Sequence, residues 1–523
     1  MNVRRMARSL LATLVLGLPA VLAPPAQAQT TPQGSWERTG SLASPRNDHT
    51  LTLLGNGKVL AAGGRTQPAA TVFNSAEVYD PVSEAWSPTG PMNDFRWEHT
   101  ATLLADGRVL VAGGFGGAST GTGNNAQPVV NTAEIYNPAT NTWTPTGSMS
   151  VRRALATAIL LPNGQVLVAG GRWCPNAPPA TCDFTFRTAT AELYNPATGM
   201  WTPTASMTQA RHTTASVLLG DGRVLVPAGF TDAGNGNNGD LYAGTWSATT
   251  NLNFARARQG AMLLQNGRVM VVAGFPATQT TEIYDPLLNA WSFAAPLTST
   301  GNRFNYAYTV MPNGKVLIAS GVAAGASVTN TDEYDPLSNT WAAQAPMNDP
   351  HASSSSLSNS YRAVVLSAST TSYVADPYVC GRNCGKVLVA GWNTTGSTEL
   401  YTAAGTCYGF NATMVGTAVN DDLTGTAGRD VILGLGGIDR IAALEGDDVV
   451  CAGTGLDQVS GGAGADVLLG GPDTDSLTGG DDNDAVFGEV GDDGLVGGNG
   501  IDLADGWLGT DRCLTSETLR GCP

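Results

Sequence analysis

Charged side chains are scarce in this sequence: Lys, Arg, Asp and Glu make up 13% of 523 residues, about half the usual ~25%. Basic residues are the rarer kind, 27 against 43 acidic, and His occurs only four times. A chain with a net charge of −16 lacks the basic footprint that nucleic-acid binding needs. Long apolar runs are missing too. The run from Leu10 to Val21 is too short to span a bilayer, and no later run is longer or more apolar, so no membrane insertion is expected. No His-Glu-x-x-His or phosphate-loop pattern occurs, which removes familiar metalloprotease and nucleotide signatures. Aromatics are not lacking. They reach 7%, with 11 Trp, so this is not a disordered polar chain. With 65 Gly, the composition suggests turn-rich β structure.

The charge is unevenly spread. From Val415 onward there are 18 Asp and 3 Glu against 4 Arg, a net −17, and the rest of the chain carries +1. The acidic end points to cations as partners. At the other end, Arg4, Arg5 and Arg8 precede the apolar run, and Ala26-Gln27-Ala28 follows it. That order is expected of a secretory signal over residues 1–28, and hence of a secreted, extracellular protein. Eight Cys in an exported chain read as disulfides. Proximity suggests Cys174–Cys182, Cys380–Cys384 and Cys513–Cys522, leaving Cys407–Cys451.

A unit of about fifty residues recurs from residue 46 to 401. Its clearest copy runs Arg96-Trp97-Glu98-His99-Thr100, Leu103-Leu104, Asp106-Gly107-Arg108, Val109 to Gly114, then Ala133-Glu134-Ile135-Tyr136-Asn137-Pro138 and Trp143. The Asp-Gly pair joins two alternating apolar runs, a strong hairpin signal. Each unit therefore encodes four short strands, a to d. Strand-b cores begin at Val59, Val109, Val166, Val224, Val269, Val316 and Val387, and the strand-c tyrosines are Tyr79, Tyr136, Tyr194, Tyr242, Tyr284, Tyr334 and Tyr401. Only six strand-d tryptophans follow, but Trp36 precedes the first unit. The N-terminal strand is thus expected to complete the last unit and close a ring, removing exposed sheet edges.

The Gly-Gly, Tyr and Trp spacing resembles kelch repeats, which form β-propellers. The last four units weaken the double glycine to Ala228-Gly229, Ala273-Gly274, Ser320-Gly321 and Gly391-Trp392. A basic residue recurs four positions after the Met or Leu that follows strand d: Arg46, Arg96, Arg153, Arg211 and Arg256, with His351 in the last unit. Two readings stand. The guanidiniums could ring one mouth and bind a carboxylate, sulfate or uronic acid, or each could brace its own blade by binding loop carbonyls. Some kelch-like propellers resemble galactose oxidase, a copper radical enzyme that needs two His, two Tyr and a Cys linked to one Tyr. Here His49 and His99 share one repeat position, His212 and His351 stand elsewhere in the repeat, and disulfides are expected to use every Cys.

At Gly416 the period changes to nine. Gly461-Gly462-Ala463-Gly464-Ala465-Asp466-Val467-Leu468-Leu469 is the clearest copy. Asp returns at Asp421, Asp430, Asp439, Asp448, Asp457, Asp466, Asp475, Asp484, Asp493, Asp502 and Asp511. Two positions later stands an apolar or small side chain, from Leu423 and Ile432 to Ala504 and Cys513. The pattern resembles the RTX nonapeptide repeat, which forms a parallel β-roll binding Ca²⁺. In such a roll six residues form a glycine-enabled turn and three a short strand with its middle side chain inward. Two nonapeptides make one coil, so aspartates 18 apart stack on one edge, about 4.8 Å from each other. A hard dication between coils, held by Asp and backbone carbonyls, relieves their repulsion. Val419, Asp473 and Asp482 replace the fourth-position Gly, and Ala443 and Ala452 the first.

The expected fold is all-β: a seven-bladed kelch-type propeller over 29–402, a linker over 403–414, a calcium-binding β-roll over 415–514 and a tail over 515–523. The expected function is a secreted calcium-binding protein whose propeller takes a protein or glycan ligand at the cell surface or in the matrix. The alternative is an extracellular galactose oxidase-like or carbohydrate-active enzyme.

Overall fold

The computed structural model describes residues 33–522 except 67–70, 117–127, 174–185, 214, 277, 300–302, 353–360, 368–379, 392–394 and 515–517. The expected signal segment and the Cys174–Cys182 pairing lie outside the described residues. The described secondary structure is strand, apart from one 3-10 turn at Gly381–Asn383.

Seven antiparallel four-stranded sheets form the blades. Blade 2 shows the scheme: Thr100–Leu103, Val109–Ala112, Ala133–Asn137 and Thr142–Thr146 pair in order. Strand b is buried along its whole length in every blade, as Val59–Ala62 and Val166–Ala169 show. It sits between neighbours on both faces, so its sequence is continuously apolar. In the last blade, Ser35–Thr39 pairs with Thr398–Thr402 and sets Trp36 opposite Tyr401. The N-terminal strand therefore closes the ring, as the aromatic count implied. All seven Tyr–Trp pairs lie with ring centroids 4.9–5.3 Å apart. Trp36 also donates to Thr331 and Trp86 to Thr398, both in the preceding blade. These contacts tie blades to each other. The double glycine has a steric cause: Gly114 has φ 98°, and a Cβ there would lie 2.7 Å from the Trp97 carbonyl oxygen. Blade 6 gains a fifth strand, Tyr361–Arg362, parallel to Ala307–Val310.

From Met414 the chain coils into two parallel sheets, with each strand paired to the one 18 residues on. Ile432, Ile441, Val450, Val459, Leu468, Leu477, Val486, Leu495 and Ala504 form a row between the sheets and are buried. The strands run six residues, as in Val431–Gly436 and Gln458–Ala463, twice the expected three. Stacked turns continue the ladder, pairing Leu435 with Gly453 and Gly436 with Thr454.

One roll sheet packs on the propeller. Val431, Leu433, Val449, Leu469, Phe487 and Leu503 share a core with Val59, Tyr79, Leu388 and Leu400 from blades 1 and 7. The 403–414 segment is itself structured: Thr406–Cys407 pairs with Phe410–Asn411, and a disulfide joins Cys407 to Cys451. Cys380–Cys384 and Cys513–Cys522 are also bonded. Within the first of these loops, Arg382 donates to Glu84 of blade 1 and Glu489 of the roll, and its guanidinium lies 3.8 Å from the Trp507 ring centroid. Arg382→Ala should weaken docking by about 1–3 kcal/mol. Hydrogen exchange should then rise in residues 406–411 and 485–490 while strand b of blades 2–5 stays protected. Unchanged exchange would assign docking to the apolar contact and the disulfide alone.

Candidate metal centre

The nonapeptide aspartates stack as the period requires. The backbone N–H of Asp421, Asp430, Asp439, Asp448, Asp457, Asp466, Asp475, Asp484 and Asp493 each donates to Oδ1 of the aspartate 18 residues on, at 2.7–3.0 Å. Every aspartate from Asp430 to Asp511 in the series is buried. The second oxygen separates them into groups. Oδ2 of Asp439, Asp448, Asp457, Asp466, Asp475, Asp484, Asp493 and Asp511 is buried with no hydrogen-bond partner. In the first coil, Thr417 N–H and hydroxyl donate to Asp421 Oδ2, and Thr426 does the same for Asp430. These two candidate ligands are already satisfied by a neighbouring threonine, a distinction the repeated Asp alone does not reveal.

A buried carboxylate oxygen without a donor is costly unless neutralised. Burial accordingly pushes Asp466 and Asp484 up to about 7, Asp475 up to about 8 and Asp493 up to about 6, with stacked carboxylates adding to the effect. Asp430 moves the other way, lowered by the Thr426 N–H and hydroxyl. Gly470 shows the space involved. A Cβ there would lie 2.5 Å from Asp475 Oδ2 and 2.9 Å from the Gly488 carbonyl oxygen. Carboxylate and carbonyl oxygens thus converge where glycine leaves room, the hard donor set that Ca²⁺ takes. Among the described residues no three His, Cys, Asp or Glu side chains form a closed metal cage. A cation between coils would draw on one or two aspartates, with backbone carbonyls and water completing its six to eight oxygens.

The structure places Arg46, Arg96, Arg153, Arg211 and Arg256 inside the blades, 0–1% exposed, and not around an open mouth. Arg153 donates to the carbonyls of Gly170 and Thr190 and pairs with Glu192 at 2.8 Å. The partners of the others are Glu77, Glu134, Asp240 and Glu282. The bracing reading therefore accounts for these side chains, because guanidinium donors turned onto backbone carbonyls inside a blade do not face a ligand. Arg303, which pairs with Asp332, holds the same place in blade 6, and His351 pairs with Glu399 in blade 7. The sequence carried a signal for the acidic partners: an Asp or Glu stands two residues before each strand-c Tyr, as Glu134 does before Tyr136.

Six equivalent residues with φ of 51–58° surround the propeller axis: Asp48, Glu98, Leu155, Thr213, Arg258 and Asn305. Glu98 N–H donates to the Asp48 carbonyl, Leu155 to Glu98, Thr213 to Leu155 and Arg258 to Thr213, at 3.1–3.2 Å. Around this ring, Arg65 pairs with Asp48 and lies 3.6 Å from the Trp97 ring centroid. Burial takes His49 down to about 3 and holds His99 and His212 well below the ordinary range.

Residues 51–93 and 99–150 match the kelch motif. Overlapping windows from 415 to 504 match the RTX calcium-binding nonapeptide repeat. No curated protein matches the chain. A solved structure titled as a novel fungal alcohol oxidase with catalytic diversity among the AA5 family, in complex with copper, is similar with a TM-score of 0.53 at 13% identity. That match covers 73% of this chain and 79% of the other, and at this identity it shows the fold alone. The chain thus joins a kelch-type propeller to RTX calcium-binding repeats. No helix among the described residues is long and apolar enough to cross a membrane.

Proposed function

We propose that this is a secreted protein in which Ca²⁺ holds the roll, and the roll in turn supports a propeller that binds a protein or glycan at the cell surface or in the matrix. The column of buried aspartate Oδ2 atoms without donors carries the calcium reading. Asp439, Asp448, Asp457, Asp466, Asp475, Asp484, Asp493 and Asp511 would be the ligands, with Asp502 completing its edge. Bound there, Ca²⁺ neutralises stacked carboxylates. The disulfides and the signal-like segment over 1–28 support an oxidising, extracellular destination.

Elemental mass spectrometry of the purified chain, before and after mild chelation, tests this reading. Several Ca²⁺ per chain and no stoichiometric copper are expected. About one copper that survives chelation would overturn it in favour of an oxidase, and peroxide production would then be assayed.

A further inference from the structure

The two turn edges of the roll obey one repeat rule but show different faces to solvent. The turns 425–429, 443–447, 461–465, 479–483 and 497–501 expose Arg429, Glu445, Asp447, Asp481 and Asp482, with Leu444 and Ile501 as their exposed large apolar side chains. On the other edge, the turns 416–420, 434–438, 452–456, 470–474, 488–492 and 506–510 expose Val419, Leu435, Ile438, Leu456, Val490 and Leu508, each between 37 and 67%. The repeat prescribes glycine and aspartate, so nothing in the coil itself asks for aliphatic residues at these places.

These side chains are neighbours. Pro472 pairs with Val490, and Val490 with Leu508, on successive coils. Ile438 and Leu456 each precede an aspartate, and those aspartates, Asp439 and Asp457, are stacked N–H to Oδ1 at 2.8 Å. Ile438 N–H donates to Asn420, the residue after Val419. All six coils therefore contribute to one ridge, which spans five coil spacings of ~4.8 Å, or about 24 Å. Exposed apolar residues scattered singly need no explanation, but a contiguous row marks an interaction site.

Charge and backbone decide what fits it. The six turns of this edge hold Asp473, Glu489 and Asp492 and no Lys or Arg. Asp473 and Asp492 are exposed beside the ridge. A second copy would set one roll of net −17 against another, and an anionic membrane would repel it. A basic partner is attracted. An added strand is unsuited, because turn amides and carbonyls already serve the coil ladder, as in Gly437 to Thr454, Gly491 to Leu508 and Leu508 to Glu489. A helix needs only side chains, and ~24 Å is the length of roughly sixteen helical residues.

We propose that Val419, Leu435, Ile438, Leu456, Val490 and Leu508 form a Ca²⁺-dependent docking ridge for a basic amphipathic helix of a partner protein. Residues eighteen apart meet only when the coils are stacked, so the ridge rests on the calcium reading. The test is fluorescence anisotropy of a labelled Leu/Lys peptide of that length with helical amphipathic period. The full chain is titrated in with Ca²⁺ at about 150 mM salt, which screens diffuse attraction beyond ~8 Å. Saturable binding is expected, weakened at least tenfold by chelation, by Leu456→Gln and by Leu508→Gln. Leu444→Gln, on the opposite edge, should bind as wild type, and a peptide of the same composition with its period scrambled should bind at least tenfold more weakly. Far-UV circular dichroism in Ca²⁺ establishes that each variant is folded. Equal binding of the scrambled peptide would reduce the effect to charge and overturn the proposal. So would ridge variants within twofold of wild type, tighter capture by lipid vesicles, or ridge-dependent self-association in sedimentation. Calcium content is read on the same samples. A chain without bound Ca²⁺ refutes the calcium reading, and a Ca²⁺-loaded chain that ignores the peptide refutes the ridge.

Discussion

Stripped of Ca²⁺ at pH 8, the roll should lose its parallel strands, and millimolar Ca²⁺ should restore them. Far-UV circular dichroism and hydrogen exchange over residues 415–520 check this, and a spectrum indifferent to Ca²⁺ would sink it. The effect is large because it is repeated. Each site filled at a hundred times its dissociation constant adds about 2.7 kcal/mol, and eight buried Oδ2 atoms await a partner. Against this the metal-free roll has one inward row of aliphatic side chains, the apolar face it packs on blades 1 and 7 and a net charge of −17. The pH dependence should reverse with the metal. In the metal-free chain Asp466, Asp475, Asp484 and Asp493 are raised to between about 6 and about 8, whereas an unfolded Asp titrates near ~4. The folded roll then holds protons that the unfolded chain has lost. Its stability is therefore greatest below about pH 4 and falls as pH rises through the raised values. With Ca²⁺ bound the carboxylates are ionised, so stability is high at pH 8 and is lost on acidification. The two pH profiles should cross.

Arg153→Met should destabilise the propeller by about 3–5 kcal/mol, the usual consequence of breaking a buried ion pair from one side. Glu192 is 1% exposed and would keep a charge with only the Ser150 and Val151 N–H groups and the Ser150 hydroxyl as donors. The double variant Arg153→Met/Glu192→Gln should recover part of the loss, since no unpaired charge remains. Urea unfolding followed by tryptophan fluorescence, with Ca²⁺ saturating throughout, measures both. A single-variant loss under about 1 kcal/mol would mean that the pair is dispensable. The Arg–acid brace recurs in six blades with His351–Glu399 in the seventh. The same substitution at Arg96 should give a loss of similar size.

Much of this architecture was legible in the sequence. A repeated unit must bury the same positions in each copy, so the Tyr and Trp at fixed spacing specified blade number, strand order and even the closing role of Trp36. A nine-residue period with Asp in phase likewise specified coil, edge and inward row. Identical repeats also hide differences. Asp421 and Asp430 look like the other nine aspartates until Thr417 and Thr426 are seen to occupy their Oδ2 atoms. The five recurring arginines were visible, but recurrence is equally compatible with a mouth and a brace. Burial decided between them, because only the folded blade shows which way each guanidinium turns.

The sequence by itself determined what depends on local periodicity: all-β class, seven blades, a two-sheet roll and an acidic ladder suited to a hard cation. Tertiary structure alone decided what depends on residues that do not repeat. Asp48, Glu98, Leu155, Thr213, Arg258 and Asn305 share a backbone conformation but range from acidic to apolar to basic, so the N–H-to-carbonyl chain that runs from Arg258 back to Asp48 has no signature in the sequence. The docking of the roll through Arg382, Cys407–Cys451 and a shared core joins segments far apart in the chain, such as Val59 of blade 1 and Leu503 of the roll. Chain closure brings those segments together, and no spacing rule reaches that far.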